Sequence, residues 1–446
     1  MSVPTVGPRD VPALVRAHAR EDVVGVARVL RERHGHLVRI AVPRGPTAYL
    51  VTHPEDVERV LRSEPERFGY YTGDAASDFD RALGDTVVSL TEASGGWLER
   101  LRALAPEFRR ASIEPKAPGL ADAAAEAYAE HAGERVDSLR LARVASLRML
   151  GRWLFGPDVR RHEEAVVEAV TTLRGAFKRR NLTVRGAVAG ALGVGGDEAD
   201  IEAAIGTLES VAAALVARRV ASPDDYDDAL ATWLTRPDPV TGEPLAPATV
   251  EREAVGMVVA GFATLSAGLS WAIHALARRP ELQARLAAEA ERSALFGGEV
   301  EGSTADQLPL ADAVWSEAIR LYPPLPLFGR QVAEPVRFRG HALDPGALAL
   351  VSPYVTGRDP AFWSSSERFD PARWRGPTER PEFAFYPFGG GRHACLGEAV
   401  ATAEARVALA ALCRDYRLRS PIAGARPEFS VTLQPDRALP VRLDPR

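Results

Sequence analysis

Between positions 255 and 276 the chain carries no Lys, Arg, Asp or Glu. Glu251 and Glu253 stand just before this stretch and Arg278-Arg279-Pro280 close it. Acidic residues at the start and basic ones at the end suit a helix dipole, Thr249 is a candidate cap, and Pro280 stops the run. A helix that is apolar on every face belongs in the middle of a large domain. Near its centre lies Ala260-Gly261-Phe262-Ala263-Thr264. Gly261 costs about 1 kcal/mol against Ala inside a helix, and its small size lets another group approach the backbone. The Thr264 hydroxyl can bond back to the carbonyl four residues earlier and bend the helix there. Taken alone, a small-residue packing spot explains the same residues.

A chain of 446 residues is long enough for one large core or for two to three average domains. Its formal charge of −5 gives no reason to expect nucleic acid as a partner. Lys116 and Lys178 are its only lysines, a bias that fits a GC-rich genome better than a phosphate-binding surface. The N-terminal residues include Pro4, Pro8, Pro12 and several charges, unlike a signal peptide or an anchor. No uninterrupted apolar run is read as reaching the roughly 20 residues that span a bilayer. The expectation is a soluble, cytoplasmic protein. With only Cys395 and Cys413 present, a disulfide scaffold and a Cys-x-x-Cys metal site are both excluded.

Residues 36–42 and 48–51 are rich in β-branched residues and flank the turn Pro43-Arg44-Gly45-Pro46, so two strands are expected, followed by a helix over 55–63. From 98 to about 418 most segments have helical periodicity. The Gly/Ala/Val-rich stretch 186–196 reads as an apolar loop. Strands return at 336–338, 347–351 and 429–433. No internal repeat, low-complexity tract or clear linker separates independent domains.

The chemistry concentrates in Phe385-Tyr386-Pro387-Phe388-Gly389-Gly390-Gly391-Arg392-His393-Ala394-Cys395-Leu396-Gly397. Three consecutive glycines permit a tight loop with positive φ. An Ala-rich helix beginning near Leu396 places Cys395 at its N-terminus, where the dipole and free N–H groups favour a thiolate. Such a sulfur suits a ferric heme as proximal ligand, and Gly397 leaves room for a flat macrocycle. A buried thiol or a catalytic nucleophile stays open as an alternative, although His393 is too close in sequence to act as an ordinary triad base. Cys413 lies in an apolar pattern and reads as inert core.

The run from Phe388 to Gly397 resembles the heme-binding signature of the cytochrome P450 family, with every defining position filled. Glu317-Ala-Ile-Arg320, followed by Pro323-Pro324, resembles the family's Glu-x-x-Arg motif, and Glu367-Arg368-Phe369-Asp370-Pro371 its meander. The resemblance covers nearly the whole chain. It implies a mainly α (α+β) fold of the soluble bacterial type: one heme domain over 1–446, with a β-rich portion at about 36–65, a helical core at about 97–330 and a heme-ligand loop at 385–397. It implies heme b with Cys395 as the metal ligand, and cofactor contacts from Phe388, Gly389 and Gly397. His393 and Arg330 match positions that touch the propionates. Trp97 matches the aromatic residue of the propionate-binding helix. The usual arginine four residues later is Leu101 here, with Arg102 or Arg100 as substitutes. Glu317, Arg320 and Arg368 would form a buried structural network.

In the same resemblance the apolar helix is the oxygen-binding one, with Ala260, Gly261, Ala263 and Thr264 at the reaction. The family normally has an acid immediately before the threonine, whereas this chain has Ala263. The pocket would be lined from Gly69 to Leu90, by the 165–220 helices, and by Leu325, Leu327, Phe328, Thr432 and Leu433. Its character implies a small, largely apolar substrate. The expected function is regioselective oxidation in bacterial secondary metabolism, by a monomer fed by a ferredoxin and its reductase, with no fused reductase and no nucleic-acid or membrane partner. Arg102, Arg109, Arg110, Arg392 and Arg406 are candidates to dock that donor, or simply solvated surface. A second expectation, raised by Ala263, is heme-thiolate chemistry without dioxygen activation: nitrene or group transfer, nitric oxide reduction, or oxidative coupling. A third is a heme-binding sensor or carrier.

Overall fold

A computed structural model describes residues 3–7, 9–12, 15, 22–41, 46–69, 83–90, 95–181, 197–377 and 379–446. Positions 43–45 of the expected turn, the loop 186–196 and the whole stretch from 70 to 82 lie outside the described residues. The chain divides into two compact units. The first comprises Met1–Ala75, Ser316–Cys395 and Pro427–Leu433; the second comprises Ala76–Trp315, Leu396–Arg426 and Gln434–Arg446.

The first unit is built on a five-stranded sheet of β1 (Leu37–Ile40), β2 (Ala48–Val51), β3 (Phe68–Gly69), β4 (Phe328–Val332) and β5 (Leu348–Val351), in the order β1-β2-β5-β4-β3. β2 and β5 pair in parallel with Ala48 opposite Leu348 and Val51 opposite Val351; the other pairings are antiparallel. Every residue of β2 is buried, as a central strand covered on both faces requires. Alternate side chains feed separate cores. Tyr49 and Val51 pack with Phe68, Phe338 and Tyr386, while Leu50 joins Val24, Leu30, Tyr354 and Leu433. The expected helix over 55–63 starts at Pro54 and widens into a π-turn over Arg59–Ser63. In place of one strand over 429–433 there are two short ones, Pro427–Phe429 and Leu433–Pro435.

The second unit is largely helical. It includes α1 (Trp97–Leu104), α2 (Ala117–Ala129), α3 (Ser138–Leu150), the long α4 (Pro247–Ala277) and α5 (Glu398–Asp415). The C-terminal half of α4 packs on α3, and α5 on α2. α4 has Ala246 at its cap position and Pro247 in its first turn, so Thr249 lies inside the helix and does not cap it; proline suits that position because its missing N–H has no helical partner there anyway. α4 also corrects the reading that no segment is apolar enough to span a bilayer. With a mean hydropathy of 1.6 over its most apolar window it is long and apolar enough, and 83% of that window is buried inside the protein. Its middle, Val258–Phe262, is a π-turn.

Candidate functional site

Cys395 is exposed and Cys413 is buried, where desolvation pushes the thiol up to about 12. The loop ahead of Cys395 owes its shape to its glycines. Gly389 (φ +74°) and Gly391 (φ +69°) occupy the left-handed region, and Gly390 is extended. A Cβ on Gly391 would collide with the backbone of Leu61 and Arg62, and one on Gly390 would lie 2.6 Å from the Phe383 ring. Glycine is therefore required at 390 and 391 by close approach as well as by φ. The Cys395 N–H donates to the Phe388 carbonyl at 2.8 Å, closing the loop, and Ala394 N–H donates to Gly391 O. α5 begins at Glu398 with Gly397 as its cap, so Cys395 precedes the helix by a two-residue turn.

Behind that loop stands Glu317, whose side chain is fully buried with that of Arg320. Arg320 donates to both Glu317 oxygens, at 2.7 and 2.8 Å, and to the carbonyls of Gly357, Ser366 and Arg368. Glu317 also accepts from the Asp370 N–H, Arg373 Nε and Trp374 Nε1, all at 2.8–2.9 Å. The second guanidinium of this network thus belongs to Arg373, not Arg368. Arg368 is exposed and contributes only its carbonyl. Asp370 caps the short 3-10 turn Pro371–Trp374, its side chain accepting from Ala372 N–H, and this turn delivers Arg373 and Trp374 to Glu317. The Asp370-Pro371 pair was the available signal, since a capping Asp followed by Pro opens a helical turn. Trp374 then packs edge-on to Phe385, with centroids 4.5 Å apart. Tyr386, the next residue, shares a hydrogen bond with Thr356. Burial lowers the affinity of Arg320 for its proton, and Glu317 opposes that.

In α4 every residue from Glu253 to Ala277 is buried except Ala260, Gly261 and Thr264. Their spacing of i, i+1 and i+4 puts them on one face, so from Glu253 onward the helix has a single open stripe. Thr264 Oγ1 donates to Ala260 O at 2.7 Å and approaches Gly261 O at 3.4 Å, within the π-turn. Wide turns of this kind free carbonyls from the helical ladder and recur at functional sites. A Cβ on Gly261 would make only ordinary contact with Leu150. Ala263 faces the packed side of the helix, 5% exposed, and its carbonyl accepts from buried Ser266.

Trp97 is buried at the start of α1. Arg100 Nη1 donates to Glu253 at 2.7 Å, whereas Arg102, 40% exposed, pairs with Asp238. Arg330 is buried and donates to Gly329 O; His393 is half-buried at the end of the 3-10 turn Gly391–His393. Among the residues expected to line a pocket, Leu325 is exposed and Leu327 and Phe328 half-buried. Thr432 and Leu433 are buried, Leu433 in the core of the first unit. Arg406 is tied to Asp312 and Thr304, and Arg110 to Glu114, while Arg392 is exposed. Sequence reasoning missed Glu253 as a partner of Arg100, because no local pattern links residues 153 positions apart.

In the first unit the exposed Cys395 thiol, in a loop shaped by its glycines, is a donor that fits a heme; in the second, α4 by itself presents an open stripe bearing one hydroxyl. The Cytochrome P450 family model matches residues 4–437. Cyclooctatin synthase of Streptomyces melanosporofaciens is 30% identical over 419 residues, 91% of this chain and 89% of the relative. Cyclooctat-9-en-7-ol 5-monooxygenase of the same organism is 30% identical, covering 88% of this chain and 84% of the relative. Pentalenene oxygenase of Streptomyces avermitilis is 28% identical, over 93% and 91%.

Proposed function

The chain belongs to the cytochrome P450 family, and we propose that it oxidises a cyclic terpenoid at one carbon in bacterial secondary metabolism. It is a heme-thiolate oxidoreductase. Heme bound to a cysteine thiolate supplies the dioxygen activation and one-electron chemistry that no protein side chain provides. In this reading Cys395 is the ligand, and the Glu317 network keeps its loop from relaxing. His393 and Arg330 neutralise the propionates, and Arg100 or Arg102 joins them only by leaving Glu253 or Asp238. The whole of 1–446 acts as one heme domain, a cytoplasmic monomer supplied with electrons by a ferredoxin and its reductase.

The observation that carries the reading is the single open stripe of α4. A surface made of Ala260, Gly261 and one hydroxyl offers a substrate shape and no charge, which suits a hydrocarbon skeleton with few polar groups. The names of the three relatives point to the same substrate class. Thr264 donates its own proton to Ala260 O, so its oxygen is left to accept from water and to order it near the reacting atoms.

Ala263 favours a second reading, heme-thiolate chemistry that does not depend on an acid relay. A carboxylate placed there would enter a packed environment, so Ala263→Asn serves as a control for bulk. With a surrogate ferredoxin, its reductase, NADPH and a panel of cyclic terpenoids, wild type and Ala263→Asp are expected to consume dioxygen at similar rates, with wild type forming hydroxylated product. Dioxygen use that rises about tenfold or more in Ala263→Asp alone, with no product from wild type, would overturn monooxygenation in favour of the second reading.

A further inference from the structure

Glu253 is the only carboxylate between positions 252 and 278, and its side chain is fully buried. Burial pushes its carboxyl above the usual range, against the Val87 N–H and Arg100. Both of its oxygens accept from the Val87 N–H, at 3.0 and 3.1 Å, and Oε1 also accepts from Arg100 at 2.7 Å. One turn further on, a Cβ on Gly256 would lie 2.9 Å from the Cγ2 of buried Thr86. Thr86 and Val87 are therefore seated on the backbone and the carboxylate of one face of α4. Arg100 brings α1, the helix of Trp97, to the same carboxylate. A buried carboxylate is costly unless paired, and an amide at this position would satisfy Val87 without charge. The charge serves the tie to Arg100. Thr264 lies eleven residues downstream, about 16 Å along the helix.

We propose that Glu253 is a positioning residue for substrate selection: by tying Val87 and Arg100 to α4 it fixes the stance of the Thr86–Val87 turn and of α1 relative to the open stripe at Ala260, Gly261 and Thr264. The proposal rests on that stripe being the substrate side, and it concerns the shape admitted there, not proton delivery.

The test uses heme-loaded wild type, Glu253→Gln, Gly256→Ala and Arg100→Lys, titrated with imidazole and with 4-phenylimidazole and followed by the heme absorption shift. Glu253→Gln keeps the acceptor for Val87 and loses the ion pair. Gly256→Ala improves helix propensity while pushing Thr86 off its seat, so it remains informative if Glu253→Gln folds poorly. The expected result is a change of about fivefold or more in the affinity ratio of the bulky to the small azole in Glu253→Gln and Gly256→Ala. Arg100→Lys, which keeps a cation for Glu253, should move the ratio less than Glu253→Gln does, and the ferrous carbon monoxide spectrum should keep its thiolate signature throughout. An unchanged ratio in both variants would overturn the proposal and leave Glu253 a packing anchor. Azole binding needs no terpenoid, so a wild type inert to every terpenoid would overturn the substrate reading and leave this one standing on the azole ratio.

Discussion

The stretch 357–374 behind the Cys395 loop is tied together by charge, whereas α4 from 254 to 277 has no acidic or guanidinium side chain at all. The difference follows from what each backbone can do for itself. A helix satisfies its own N–H and C=O groups, so α4 needs only packing. The irregular stretch from 357 to 374 has carbonyls with no periodic partners, and those of Gly357, Ser364, Ser366 and Arg368 accept from Arg320 or Arg373. Buried guanidinium groups are the one side-chain type with enough donors to gather several carbonyls and a carboxylate at once.

Breaking the charged side of this comparison should have the largest effect. Glu317→Ala or Arg320→Ala leaves the other charge buried and alone, a loss of about 3–5 kcal/mol, and should yield little soluble heme-loaded protein. Arg373→Ala should fall between that and wild type. Arg368→Ala should shift the urea midpoint by no more than about 0.5 kcal/mol in stability. Equal losses in Arg368→Ala and Arg373→Ala, measured by heme content and urea unfolding, would contradict the placement of Arg373 at Glu317.

A smaller effect is expected at Glu404 in α5, which is buried with Trp153 Nε1 donating to it at 3.2 Å and whose carboxyl burial pushes up to about 8. Its folded-state value lies above its unfolded one. The stabilisation of the protonated form is therefore present at low pH and is lost as pH rises from the ordinary carboxylate range through about 8. Glu404→Gln keeps the acceptor for Trp153 and removes the titration. Its melting temperature should gain on wild type steadily from pH 5 to about pH 8.5; a constant difference across that range would show that Glu404 does not titrate in the folded protein.

The apolar side should respond least in stability. Thr264→Ala exchanges one partly exposed hydroxyl bond for better helix propensity, so unfolding should move by less than about 1 kcal/mol. Its effect should fall on coupling, with peroxide released per product rising several-fold. Unchanged coupling would remove Thr264 from the reaction.

The two regions also differed in how far the residue string revealed them. The glycine run, the placement of Cys395 ahead of a helix and the Glu317–Arg320 pair were legible because each is a local pattern three to ten residues long. The run Glu367-Arg368-Phe369-Asp370-Pro371 resembles the meander and points to Arg368, whereas the capping Asp370 opens the turn that delivers Arg373. In α4 the burial and the Thr264 back-bond were legible from period and chemistry. The π-turn and the pairing of Glu253 with Arg100 and Val87 were not, because each is decided by what packs against the helix from elsewhere in the chain; the start at Pro247 has a local signal in the proline itself.

The parallel pairing of β2 with β5 has a consequence for how the protein is made. Ala48 waits for Leu348, and at about 5–20 residues per second synthesis of the intervening 300 residues takes roughly 15–60 s. Throughout that interval the strand Ala48–Val51, buried at every position of the folded protein, has an open edge, the kind of surface that recruits foreign strands. Cys395 emerges later still. Cofactor capture is thus a late event in the life of the nascent chain, and holding the first 75 residues soluble until then falls to the ribosome and its chaperones.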